Sequence, residues 1–139
     1  WTVADITQSG APARIVEETV SAFGGIDIVL NVAAASPMVL LAEADSEETL
    51  AVYASNVVAP SQVCRAALPH LSTNGVVGFV SSETVGRPRK GLVPYGASKA
   101  ALSGKHERRW PSLPIPRRTR SKTGQPSGPA ASSAASASA

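Results

Sequence analysis

Apolar positions along the first hundred residues change their period several times, and each change marks an element. Val16, Val20 and Phe23 recur at helical spacing within residues 11–23. Pro12 suits a first helical turn, and Gly24-Gly25 provides a stop that tolerates positive φ. The three apolar positions read as core. Residues 26–32, Ile-Asp-Ile-Val-Leu-Asn-Val, form a nearly continuous apolar run, the pattern of a parallel strand buried on both faces. Residues 46–71 predict one long helix or two joined helices, with Leu50, Val57, Leu68 and Leu71 on the apolar face. Asp45 or Ser46 caps it, Glu48 stands in capping-box position, and Glu47 is favourable in the first turn. Pro60 lies inside and removes the hydrogen bond to the Asn56 carbonyl, which predicts a kink there. Residues 69–75 predict a turn, and Val76-Val77-Gly78-Phe79-Val80 a second buried strand. Residues 1–7 read as the end of another strand with a polar stop.

The chemistry concentrates just beyond the second strand. Tyr95 and Lys99 are four residues apart. On a helix they share one face, one turn apart. A cation beside a phenol stabilises the phenolate and prepares it for proton exchange. Ser82 lies thirteen residues before Tyr95, at the end of the apolar run. A hydroxyl at the C-terminal end of a parallel strand faces the crevice where open α/β sheets bind ligands. The pattern is a proton-donating tyrosine, a lysine beside it, and a serine for a substrate oxygen.

Ser81-Ser82, the loop with Gly86, and Tyr95-Gly96-Ala97-Ser98-Lys99-Ala100-Ala101-Leu102 together resemble the active-site segment of the short-chain dehydrogenase/reductase family. The Ser82–Tyr95 spacing favours the classical branch over the extended, epimerase-like one. The resemblance implies an α/β fold over residues 1–104, the central part of a Rossmann-like doubly wound parallel sheet. It implies an oxidoreductase that interconverts an alcohol and a carbonyl by hydride transfer, with NAD or NADP as cofactor. It assigns catalytic roles to Asn56, Ser82, Tyr95 and Lys99. Tyr95 passes the proton; Lys99 assists it and holds the cofactor ribose; Ser82 orients the substrate oxygen. The Asn56 backbone carbonyl holds a water that links the ammonium to solvent. Along the cofactor it implies Asp5 at the adenine ring with help from the Ile6 amide, then Asn31, Ala33, Tyr95 and Lys99. The segment Asn31-Val32-Ala33-Ala34 departs from the family's Asn-Asn-Ala-Gly, and Ala34 adds a methyl where glycine admits close backbone approach. Plainer roles stand beside these: Asp5 as a turn former, Asn56 as a helix break, Tyr95 and Lys99 as a surface pair.

Composition narrows the picture. The chain has 139 residues and one cysteine, Cys64, which excludes an internal disulfide and fits a reducing compartment. No apolar run reaches the ~18 residues of a membrane span, and no metal-ligand spacing is present. The expectation is a cytoplasmic protein with a small-molecule substrate, no specific nucleic-acid partner, and homo-oligomers in its full-length form. The net charge of +3 hides an asymmetry: residues 1–100 carry six basic and nine acidic residues, whereas residues 101–139 carry seven basic residues and only Glu107. The charge sums are −3 and +6, so the basic balance describes the tail. Residues 105–139 are rich in Pro, Ser, Ala and Arg without apolar periodicity, which predicts disorder. Their abrupt onset suggests a shifted reading frame. Trp1 at the start, and no Gly-rich turn to cradle a pyrophosphate, suggest a fragment lacking roughly 60 preceding residues, two βα units. The alternative to an enzyme is therefore an inactive remnant with a basic tail that binds no dinucleotide usefully.

Overall fold

A computed structural model describes residues 1–103. In chain order these form α1 (Ala11–Phe23), β1 (Ile26–Asn31), α2 (Ser46–Tyr53), a π turn (Ala54–Val58), α3 (Ala59–Ala67), a 3-10 turn (Leu68–His70), β2 (Leu71–Phe79), a second 3-10 turn (Glu83–Val85) and α4 (Val93–Ser103). The architecture is α/β and Rossmann-like, with β1 and β2 paired in parallel. The expected disorder of residues 105–139 lies outside the described residues.

α1 occupies the expected span and is bounded by glycines in left-handed conformation, Gly10 at φ 78° and Gly24 at φ 81°. Val16 is buried against Ile26 and Ala67, with Val20, Val29, Ala66 and Leu71 packed around them. Phe23 is exposed, contrary to the periodicity, because that cluster does not extend to the last turn of the helix. Residues 1–7 form no strand either. The Asp5 carboxylate accepts from Thr7 N (2.9 Å), Thr7 Oγ1 (2.7 Å) and Gln8 Nε2 (3.1 Å), and these bonds close a turn instead.

The strand register runs from Ile26↔Leu71 to Ile28↔Val76, then residue by residue to Asn31↔Phe79. Residues 72–75 therefore form a bulge within β2. Of the turn expected at 69–75, only the 3-10 turn ending at His70 is present, and β2 begins at Leu71, earlier than expected. Val29 and Asn31 face α1 and α3. The opposite face is bare: Ile28 is 69% exposed and Leu30 63%, with Val76 exposed beside them. Among the described residues the sheet is thus covered on one side only, where the apolar run predicts burial on both.

The stretch 46–70 is helical throughout but changes its winding. Asp45 caps α2, its Oδ1 accepting from Glu48 N at 2.7 Å. The break expected at Pro60 takes the form of the π turn, in which Ala59 N–H reaches back to the Ala54 carbonyl. The wider turn inserts a residue and rotates the buried face. Val52, Asn56, Ala59, Pro60, Cys64 and Ala67 are buried, while Leu50, expected in the core, is exposed. No described helix is long and apolar enough to cross a membrane.

Candidate active site

Parallel pairing puts the ends of β1 and β2 side by side, and two backbone groups there position the lysine. Val80 N donates to the Asn31 carbonyl at 3.0 Å. The Val80 carbonyl in turn accepts from Lys99 Nζ at 2.8 Å. Lys99 is only 3% exposed, yet its ammonium has a charge-assisted bond to that carbonyl. It also lies 5.9 Å from the centroid of the Tyr95 ring. Tyr95 and Lys99 stand one turn apart on α4, as their spacing predicts. An ammonium carries three protons, and one is used by Val80.

Ser82 caps the 3-10 turn that follows β2, its Oγ accepting from Thr84 N (3.3 Å) and Thr84 Oγ1 (2.9 Å). Because it accepts both, its own proton is left for another oxygen. Among the described residues Ser82 is not hydrogen-bonded to Tyr95. Their elements meet through Gly96, where an added Cβ would stand 3.5 Å from the Thr84 carbonyl. Ahead of α4, Val39 forms a parallel bridge with Leu92, and Val39 N donates to the Gly91 carbonyl at 2.9 Å. The loop leaving β1 is thereby stitched to the loop leaving β2.

Asn56 occupies the π turn and is 1% exposed. Its side chain, which the sequence did not single out, makes three bonds. Oδ1 accepts from Ala35 N at 2.7 Å, and Nδ2 donates to the Ala35 carbonyl and to Ser98 Oγ, each at 2.9 Å. Ser98 and Ala35 are the members of the site that motif reasoning missed. The signal for Ser98 was its place between Tyr95 and Lys99, on the side of α4 turned toward Asn56.

The other candidate residues are dispersed. The Asn31 side chain folds away from the strand end, donating to the Gly78 carbonyl (3.2 Å) and Cys64 Sγ (3.3 Å). Burial pushes the Cys64 thiol above its ordinary range, only partly offset by that amide. Ala33 is exposed in the segment after β1. Asp5 and Ile6 sit in the first turn, where bonds from Thr7 and then Gln8 hold the Asp5 carboxyl below its usual range. Ile6, Thr7, Ala54, Val58 and Arg65 line a cleft of about 380 Å³ between that turn and the helices. Among the described residues no three His, Cys, Asp or Glu side chains gather as metal ligands.

The donor set suits the groups of a dinucleotide. Two Lys99 protons have no hydrogen-bond partner among the described residues and would fit ribose hydroxyls, and the Asp5 carboxylate, with about four acceptor sites and three bonds, would fit an exocyclic amine.

The chain is similar to known proteins. The model for short chain dehydrogenases matches residues 1–107. Tropinone reductase-like 3 of Erythroxylum coca is 31% identical over 103 residues, covering 73% of this chain and 40% of that protein. A putative ketoacyl reductase of the granaticin polyketide synthase of Streptomyces violaceoruber is 35% identical over 100 residues, covering 68% of this chain and 40% of its own length. A dehydrogenase/reductase structure from Sinorhizobium meliloti superposes with TM-score 0.69 at 35% identity, over 73% of this chain and 40% of the other. The chain thus spans well under half the length of the relatives it matches. The match takes in β1, β2, the π turn and the whole Ser82–Tyr95–Lys99 segment, and the chain belongs to the short-chain dehydrogenase family.

Proposed function

We propose that this chain carries the proton-transfer centre of an NAD(P)-dependent oxidoreductase that interconverts a small alcohol and a carbonyl compound. The observation that carries this is the buried Lys99 ammonium, fixed to Val80 and lying against the Tyr95 ring. Burying an ammonium is costly unless its protons are used. A single backbone carbonyl uses one, and the others suit the hydroxyls of a ribose. The bound nicotinamide supplies or accepts the hydride. Tyr95 gives its proton to the carbonyl oxygen in reduction and takes it back in oxidation. Lys99 stabilises the phenolate that results. Ser82 donates its free proton to the same oxygen and holds it toward Tyr95. The Asn56 backbone carbonyl, at the π turn beside Pro60, is the site for a water that returns protons to Lys99. Asp5, Ile6, Asn31 and Ala33 line the path of the cofactor from adenine to nicotinamide. The catalytic domain is residues 1–104, the protein is cytoplasmic, and its full-length form assembles as a homo-oligomer.

A second role, an inactive remnant that carries out no catalysis, is favoured by the bare apolar face at Ile28 and Leu30. Titration with NADH and NADPH, followed by a panel of carbonyl compounds monitored through nicotinamide absorbance, separates the two. Saturable binding with turnover supports the enzyme; neither binding nor turnover supports the second role.

A further inference from the structure

The polar groups buried between the π turn and α4 form a chain of contacts with one unassigned member. Ser98 is wholly buried, 0% exposed, on a helix of largely apolar and small residues. A serine in a helix commonly satisfies its hydroxyl on a carbonyl of the preceding turn, and Ser98 Oγ does so, donating to the Tyr95 carbonyl at 2.7 Å. That bond alone would make it a locally satisfied core residue. The hydroxyl, however, also accepts from Asn56 Nδ2 at 2.9 Å, across 42 positions of sequence. The remaining polar atoms of that amide both go to Ala35, on the segment leaving β1. The donors and acceptors match without remainder: the amide oxygen takes the Ala35 N–H, its two protons go to the Ala35 carbonyl and to Ser98, and the Ser98 proton goes to Tyr95. No buried side-chain nitrogen or oxygen among the described residues lacks a partner.

We propose that Ser98 is a positioning residue: its hydroxyl, through Asn56, fixes the turn of α4 that bears Tyr95 to the loop leaving β1 at Ala35. Three elements remote in sequence are thereby held at one separation, and they carry the proton donor, the relay asparagine and the strand-end loop. The order of the bonds matters. Ser98 accepts with one lone pair while donating its proton, so the two bonds polarise each other in the same direction. Removing the hydroxyl leaves a buried amide proton without a partner and frees Asn56 to rotate away from Ala35. The significance of this for catalysis rests on the role proposed for Tyr95; the mechanical link does not.

The test is amide hydrogen exchange by NMR on the full 139-residue chain and its Ser98→Ala and Ser98→Thr variants. The reporter is the Ala35 amide, which donates to Asn56 and makes no contact with Ser98 itself. Protection of Ala35 should fall about tenfold in Ser98→Ala, the effect of weakening one neutral hydrogen bond. The amides of Val16 and Val20 in α1 should be unchanged, and Ser98→Thr should restore Ala35. A serine with only a local role on α4 would leave Ala35 protection at its original value, and that result overturns the proposal. Should the alanine variant not fold, Ser98→Cys keeps the volume and weakens both bonds, with the same ordering expected. Turnover on the same samples adds an independent arm: Ser98→Ala should lower kcat while leaving cofactor affinity within about twofold. If the unaltered chain shows no turnover, the proposed function fails and the exchange result alone decides the role of Ser98.

Discussion

Replacing Asn56 with alanine separates two roles that the sequence does not distinguish. If only the Asn56 backbone carbonyl mattered, alanine would be nearly silent, because it keeps that carbonyl. The structure gives the side chain its own work: 1% exposure and three hydrogen bonds of 2.7, 2.9 and 2.9 Å. Neutral hydrogen bonds contribute about 1 kcal/mol each, which gives about 3 kcal/mol for the set. The void left by the amide adds about 1 kcal/mol more. Asn56→Ala should therefore cost about 3–5 kcal/mol, a large share of the ~5–15 kcal/mol that holds a domain together. Urea unfolding followed by circular dichroism measures it. With m near 1–2 kcal/mol per M, the midpoint should fall by about 2 M, or the cooperative transition should vanish. A midpoint within about 0.3 M of the parent would mean that the three bonds contribute almost nothing and that the carbonyl is the only part of Asn56 that matters.

Further outcomes follow at three residues. Ser82→Ala should lower turnover by roughly 10²–10³, the usual loss for one preorganised donor, and weaken the 3-10 turn by about 1 kcal/mol through its cap; steady-state rates and urea midpoints read the two separately. Gly91→Ala should destabilise by about 1–2 kcal/mol, because Gly91 has φ 79° and an added Cβ would stand 2.9 Å from Met38 Cγ; thermal unfolding reports it. Cys64, its thiol pushed above the ordinary range by burial, should resist iodoacetamide at neutral pH. Its contribution to stability is fully present below the unfolded value and lost as pH rises through the higher folded one, so Cys64→Ser should flatten the alkaline decline in urea midpoint.

The placement of the candidate residues on their elements was more legible than the packing around them. That Tyr95 and Lys99 share a helix, and that Ser82 follows a strand, was readable because the spacing is local: four residues on one helix, and a strand end feeding a short loop. The break at Pro60 was readable because proline has no N–H to give. What followed from that break was not. A π turn rotates the helix after it relative to the turns before it, so no single apolar face runs through both: Val52 is buried before the turn and Ala59, Cys64 and Ala67 after it, while Leu50 is exposed. Asp5 shows a different limit. A short polar side chain after an apolar stretch suits a strand end or a turn equally, and without a neighbouring strand its three local bonds decide for the turn. The Asn56–Ser98 link was invisible because its partners are 42 positions apart and share no periodicity. The bare side of the sheet, where Ile28 and Leu30 lie exposed, also has no sequence signal, since a doubly buried strand and a half-covered one read alike.

Tyr95 is the residue on which the functional account depends, and one comparison tests it directly. The unaltered protein and Tyr95→Phe are given NADH or NADPH deuterated at the transferring position, together with a carbonyl compound the unaltered protein reduces. Deuterium in the alcohol product is then measured against time. Phenylalanine keeps the ring that packs beside the Lys99 ammonium, 5.9 Å from its centroid, and removes only the hydroxyl. The account predicts label transfer by the unaltered protein, almost none by Tyr95→Phe, and cofactor affinity that is close to equal in both. A Tyr95→Phe protein that transfers label at more than about a tenth of the original rate would contradict it, because the proton would then come from another group.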